Sequence, residues 1–216
     1  MPEFPLIPGG LGVANILVFI ALGILSIVAV TVAVFKIMQF RRMGVGRYRA
    51  AQVVLDDWLG GRPDEALRKA GTNASVLDRV LRAVMSGLRA RPTDPEYGEE
   101  LGHQIALIEL SAMSSRMRLL EAVVQSAPML GLLGTVIGMI DAFGALSASD
   151  QGADPQLLAS GIWTALTTTA LGLAIALLTY FVANWLESRI ESERQSMEMV
   201  ISTAIHGRVA APQPLR

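Results

Sequence analysis

Three long apolar stretches and one polar block make up the pattern of the chain. No charged residue occurs from Val13 to Phe35. At about 1.5 Å per residue a helix over that run reaches roughly 34 Å, enough for a hydrocarbon core of about 30 Å. A second apolar stretch covers 123–146 and a third covers 157–185, with a short polar loop, 147–156, between them. Residues 1–12 are rich in proline and glycine and read as an irregular lead-in. A cleaved signal peptide needs positive charge ahead of its apolar run. Here Lys36, Arg41, Arg42, Arg47 and Arg49 all follow the run, which predicts a retained membrane anchor.

The polar block, 36–122, carries helical periodicity. Tyr48, Ala51, Val54, Leu55 and Trp58 share one face. So do Val76, Leu77, Val80, Leu81, Val84, Met85 and Leu88. Pro63, after Gly60-Gly61-Arg62, suits the first turn of a helix. Arg91-Pro92-Thr93-Asp94-Pro95 is a break. Beyond it Ile105, Ile108, Ala112, Leu119 and Val123 keep the helical period. They predict one helix running unbroken from the polar block into the second apolar stretch, kinked at Pro128. Residues 187–205 are charged yet helical in pattern, which extends the third membrane helix into a polar helix and tail, 186–216. No stretch alternates as a strand does. The predicted fold class is an all-α membrane protein with three transmembrane helices, the second and third long and continued into a helical domain of three or four helices.

Small residues mark the packing faces. Gly134 and Gly138 form a GxxxG pair, with Gly131 a turn earlier. In the third stretch Gly161, Ala165, Thr168 or Thr169, Gly172 and Ala176 recur every three or four positions. Such spacing lets two membrane helices approach backbone to backbone.

Composition and charge narrow the function. The 216 residues are 52% apolar, and the net charge of −1 leaves no electrostatic footprint for nucleic acid. There is no cysteine, and the two histidines, His103 and His206, stand far apart, so the sequence holds no zinc-type ligand spacing. Gly-Leu-Leu-Gly-Thr at 131–135 lacks the lysine of a phosphate-binding loop. The sequence therefore predicts neither an enzyme nor a cofactor. All 18 Lys and Arg lie within 36–122 or after 184. Positively charged segments stay cytoplasmic. This predicts the N-terminus and the 147–156 loop outside, and the polar block and C-terminus inside. Trp163, Tyr180 and Trp185 sit near the ends of the third stretch, as interfacial aromatics do.

The polar groups within the apolar stretches are candidates for an ion pathway: Thr135 on the second, Thr164, Thr168 and Thr169 on the third, and Asp141. A membrane threonine commonly bonds a carbonyl of its own helix or a neighbour and does nothing more. Clustered hydroxyls between close-packed helices can instead hydrate a path for a small cation, because they accept and donate without titrating. Antiparallel counting puts Thr135 and Thr169 at similar depth. Asp141 either faces such a path or reaches the outer interface from the last turns of its helix.

The run from Ser126 to Met139 resembles the second-transmembrane signature of the MotA/TolQ/ExbB family. Gly161-Ile162-Trp163-Thr164-Ala165-Leu166-Thr167-Thr168-Thr169-Ala170-Leu171-Gly172-Leu173 resembles the third. The size, short outer loop and single insertion are more similar to ExbB and TolQ than to the flagellar MotA. The resemblance implies a subunit of a pentamer in the bacterial inner membrane, enclosing the single membrane helix of an ExbD- or TolR-like partner that carries an aspartate. It implies that proton flow drives motion passed on through a TonB- or TolA-like protein, with Thr135 and Thr169 as pore threonines. Two positions depart from the pattern: Thr164 stands where ExbB and TolQ place a glutamate, and Leu178 where proline is frequent. The first leaves open a sodium-driven variant. It also leaves open a non-conducting scaffold that assembles a partner helix and transmits force or signal.

Overall fold

A computed structural model describes residues 13–72, 75–147 and 155–207. Among them are seven helices and no strand: α1 (Val13–Met43), α2 (Tyr48–Leu59), α3 (Pro63–Thr72), α4 (Val76–Ala90), α5 (Pro95–Ser114), α6 (Met117–Ser147) and α7 (Pro155–His206). The all-α class read from the pattern holds. Three helices, α1, α6 and α7, are long and apolar enough to cross a membrane. The chain divides into two compact units. One takes the chain up to Val34 with Arg116–Asn184; the other takes Phe35–Ser115 with the chain from Trp185 onward. The predicted lead-in at 1–12 and most of the loop at 147–156 lie outside the described residues.

In the first unit α1, α6 and α7 share a small core of Val18, Leu22, Ala127 and Ala176, flanked by Leu25, Leu130, Ile137 and Ile175. Most other large side chains on these helices face outward, among them Ile24, Ile27, Leu132, Phe143, Leu166 and Phe181. That is the distribution expected where the surroundings are lipid or another apolar helix. α6 passes through Pro128 without ending.

The second unit is built on α4. Val76, Leu77, Val80, Leu81, Val84 and Met85 are fully buried, as their spacing predicts. Ser75 caps the helix, accepting from the Asp78 backbone N–H at 3.2 Å. α4 packs on α5, and α2 and α3 pack on each other and on α4. Asp57 joins α2 to the following segment, accepting from Lys69 and Arg62 at 2.5 Å each. The hydrogen bond from Lys69 is the main reason its carboxyl is held below the ordinary aspartate range.

The structure defines the packing face of α5 and overturns one expectation about its end. The buried positions of α5 are Gly98, Gly102, Ala106 and Met113, while Ile108 is exposed and Ile105 only half-buried. The face is set by small residues, because α4 approaches so closely that a methyl group at Gly87 would sit 2.7 Å from the Cα of Gly98. Against expectation, α5 does not run unbroken into the membrane helix. It stops at Ser114; Ser115 turns extended, and Arg116 takes a left-handed φ of 65° before α6 begins. The terminal carbonyls find side-chain donors from α1. Lys36 Nζ donates to Met113 O at 2.6 Å, and Gln39 Nε2 to Ala112 O at 3.0 Å. A cation at a helix C-terminus also meets the negative end of the helix dipole.

Candidate functional site

The candidate site lies along the antiparallel contact of α6 and α7. Every glycine picked out by spacing faces the other helix. A methyl group at Gly131 would lie 3.0 Å from Thr168 O and Thr169 Cα, and one at Gly134 2.5 Å from Thr168 Oγ1. Gly138 meets Ala165, Gly161 meets Ala142, and Gly172 meets the backbone of Ala127 and Gly131. The contact is a ladder of small residues over about four turns, in which each glycine meets glycine, alanine or threonine.

The hydroxyls divide according to that ladder. Thr168 is fully buried in it; its Oγ1 donates to Ala165 O at 2.7 Å, with Gly131 O at 3.4 Å. Thr164 is buried and donates to Ser160 O at 3.0 Å. Thr169 lies half-buried at the edge, and its hydroxyl crosses to α6, donating to Gly131 O at 2.9 Å. Thr135 lies half-buried and donates to Leu132 O of its own helix at 2.6 Å. It opens onto a shallow groove lined by Val136, Met139, Ile140 and Phe143. Thus Thr168 and Thr169 converge on one carbonyl, that of Gly131. Thr135 is on the next turn of α6 and makes no hydrogen bond to them. Each hydroxyl proton already has an acceptor, and each oxygen keeps lone pairs for water or a cation.

Asp141 is exposed near the end of α6. Its Oδ2 accepts from Asn15 Nδ2 at 3.1 Å, which ties α6 to α1. Asn15 is buried, and its Oδ1 has no hydrogen-bond partner among the described residues. Sequence reasoning passed over Asn15. The signal was a lone amide in an otherwise apolar run, the kind of residue that seeks a partner on a neighbouring helix. Among the described residues no group of three or more His, Asp or Glu could hold a metal.

Comparison with known proteins assigns this arrangement. The profile of the MotA/TolQ/ExbB proton channel family matches residues 72–199, more than half of the chain and all of the α6–α7 ladder. The chain belongs to the MotA/TolQ/ExbB family. It is 31% identical over 195 residues to the Tol-Pal system protein TolQ of Pseudomonas aeruginosa, covering 83% of each chain. It is 34% identical over 137 residues to a biopolymer transport protein ExbB homolog of Methanothermobacter thermautotrophicus, covering 63% of this chain and 47% of the relative. To a biopolymer transport protein ExbB-like 1 of Synechocystis it is 32% identical over 163 residues, covering 74% and 62%. The chain therefore spans about half the length of the Methanothermobacter relative and under two thirds of the Synechocystis one. Membership in the MotA/TolQ/ExbB family and three long apolar helices together make this a membrane protein.

Proposed function

We propose that this chain is the channel subunit of an ion-driven motor in the bacterial inner membrane. Thr135 and Thr169 face the conducted ion, a proton or, with oxygen ligands alone, sodium. The observation that carries the reading is the position of these two hydroxyls. They are half-buried at the margin of a close-packed glycine ladder, in a chain of the MotA/TolQ/ExbB proton channel family. Thr164 and Thr168 sit inside the ladder, bonded to carbonyls, and support the path by fixing the helices. Asp141 would stand at the mouth, held by Asn15. The path itself needs surfaces that one chain does not supply. Those are further copies in a pentamer and the helix of an ExbD- or TolR-like partner with its aspartate. Work on the cell envelope through a TonB- or TolA-like protein follows from the same reading, and no step of it calls for catalysis.

A second reading has an observation of its own. Thr164 stands where ExbB and TolQ carry a glutamate, and here its hydroxyl is spent on Ser160 O. A subunit without that carboxylate could serve as a non-conducting scaffold. Flux in liposomes holding the chain with its partner separates the two readings, under a proton gradient and then a sodium gradient. The motor reading expects flux that vanishes when the partner's membrane aspartate is replaced. It also expects Thr135→Val or Thr169→Val to cut flux by more than about tenfold, ~1.4 kcal/mol of barrier, while the complex keeps its mass. An intact complex that passes neither ion would establish the scaffold.

A further inference from the structure

Away from the membrane helices, the turn between α1 and α2 is held by a buried acid. Glu193 on α7 is 3% exposed. Its Oε2 accepts the backbone N–H of Gly46 at 2.9 Å, and its Oε1 is buried with no hydrogen-bond partner among the described residues. Gly44 and Gly46 both take left-handed φ angles, 67° and 85°. The other amides of the turn bond to main-chain carbonyls: Gly44 to Arg41, Val45 to Phe40 and Arg47 to Gly44. Only Gly46 depends on a side chain from a distant helix.

Charged groups that act on this acid or flank its turn lie on α7, on α4 and in the turn itself. Arg189 precedes it by one turn on α7 and supplies the positive field that acts on it. Arg47, next to Gly46, is exposed and acts on Asp78. Asp78 of α4 is bonded to Ser75, against which Gly44 of the turn packs. Tyr48, at the start of α2, gives its hydroxyl to Met199 Sδ at 2.9 Å. None of these pairs directly with Glu193.

We infer that Glu193 is a proton-binding site whose occupancy keeps the α1–α2 turn closed on α7. A charged carboxylate with one oxygen buried and bare is strongly disfavoured. The neutral acid avoids that charge and still accepts from Gly46. Burial accordingly pushes the Glu193 carboxyl above the ordinary glutamate range, against the Gly46 hydrogen bond and Arg189. Losing the proton lowers the cost of opening the turn and admitting water to the carboxylate. The closed form binds one more proton than the open form between the ordinary glutamate midpoint, about pH 4.3, and the raised midpoint. Across that window opening grows more favourable as pH rises, by up to about tenfold per pH unit, and it levels off above the raised midpoint.

The test is residue-resolved hydrogen–deuterium exchange of the full chain in lipid nanodiscs, read as protection after correction for the intrinsic rate. In the unaltered protein, protection at Gly46 should fall with rising pH over this window while that of α4 stays level. Glu193→Gln keeps an acceptor for Gly46 and cannot ionise, so its protection should be flat. Asp78→Asn should keep the slope. A flat profile in the unaltered protein needs no variant to be read and would overturn the inference. So would a slope that survives Glu193→Gln or disappears in Asp78→Asn. The outcome is independent of whether the chain conducts ions.

Discussion

A methyl group at Gly172 would lie 2.5 Å from the carbonyl oxygen of Ala127, and at Gly134 equally close to Thr168 Oγ1. Neither can be accommodated in place. At Gly172 the obstacle is backbone, so the helices must separate. At Gly134 the Thr168 Cβ, 2.7 Å away, blocks relief by a rotamer change. Gly23 on α1 offers a contrast, since nothing lies within 4 Å of a methyl group there. Gly172→Ala and Gly134→Ala should each destabilise the α6–α7 pair by about 1–3 kcal/mol, the range for overpacking. Gly23→Ala should be neutral or slightly stabilising, as alanine replaces glycine within a helix. Unfolding of the three variants in detergent, followed by helicity, checks this. Equal losses at Gly23 and Gly172 would show that the ladder has no special closeness.

At the scale of the element, the end of α5 is the instructive case. Ser111 O, Ala112 O and Met113 O are satisfied by Ser115 N, Gln39 Nε2 and Lys36 Nζ respectively. Lys36 is fully buried, and Lys36→Met keeps much of its volume while removing the donor. This should cost about 1.5–3 kcal/mol, the range for a hydrogen bond to a charged group, and raise amide exchange at 111–115 selectively. Unchanged exchange there would mean that Ser114 ends the helix without help from α1. The same element shows what periodicity can and cannot reveal. The ladder of α6 and α7 was legible because small residues, glycines among them, recur every three or four positions, and close approach is what they permit. The stop at Ser115–Arg116 was not legible, since apolar residues continue with helical spacing through Leu119 and Val123. The carbonyls left at that stop take their side-chain donors from a pair of residues more than seventy positions earlier, which no local periodicity displays. The α5 face was missed for a related reason. Its Gly98-Gly102-Ala106 spacing carries the same signal as the membrane ladder, but it sits in a polar stretch beside larger apolar residues that have a helical period of their own. The sequence names four candidate hydroxyls, but a wheel of residues cannot tell a threonine inside a seam from one at its edge. That division needed the register in which Gly131 meets Thr168 and Thr169.

At the scale of the whole molecule, the distribution of charge governs how the chain sits in a bilayer. No lysine or arginine precedes residue 36 or falls between 123 and 184, while 36–122 holds fourteen of the 18. The cost of moving so many cations across a membrane, against none in the 147–156 loop, favours the polar block inside and that loop outside. The chain contains no cysteine, so single cysteines report position without background. Position 149 falls in the polar stretch between the second and third apolar segments, and Ser86 is exposed on α4. In intact cells with a permeabilised outer membrane, a membrane-impermeant maleimide should label Ser149→Cys and leave Ser86→Cys unlabelled until the inner membrane is opened. The reverse pattern would invert the topology. It would place Glu193 and the α1–α2 turn on the outer side, where the pH they meet is that of the envelope and not of the cytoplasm. The placement of the charges thus decides which compartment's protons the buried acid would bind, and the labelling experiment reads that placement directly.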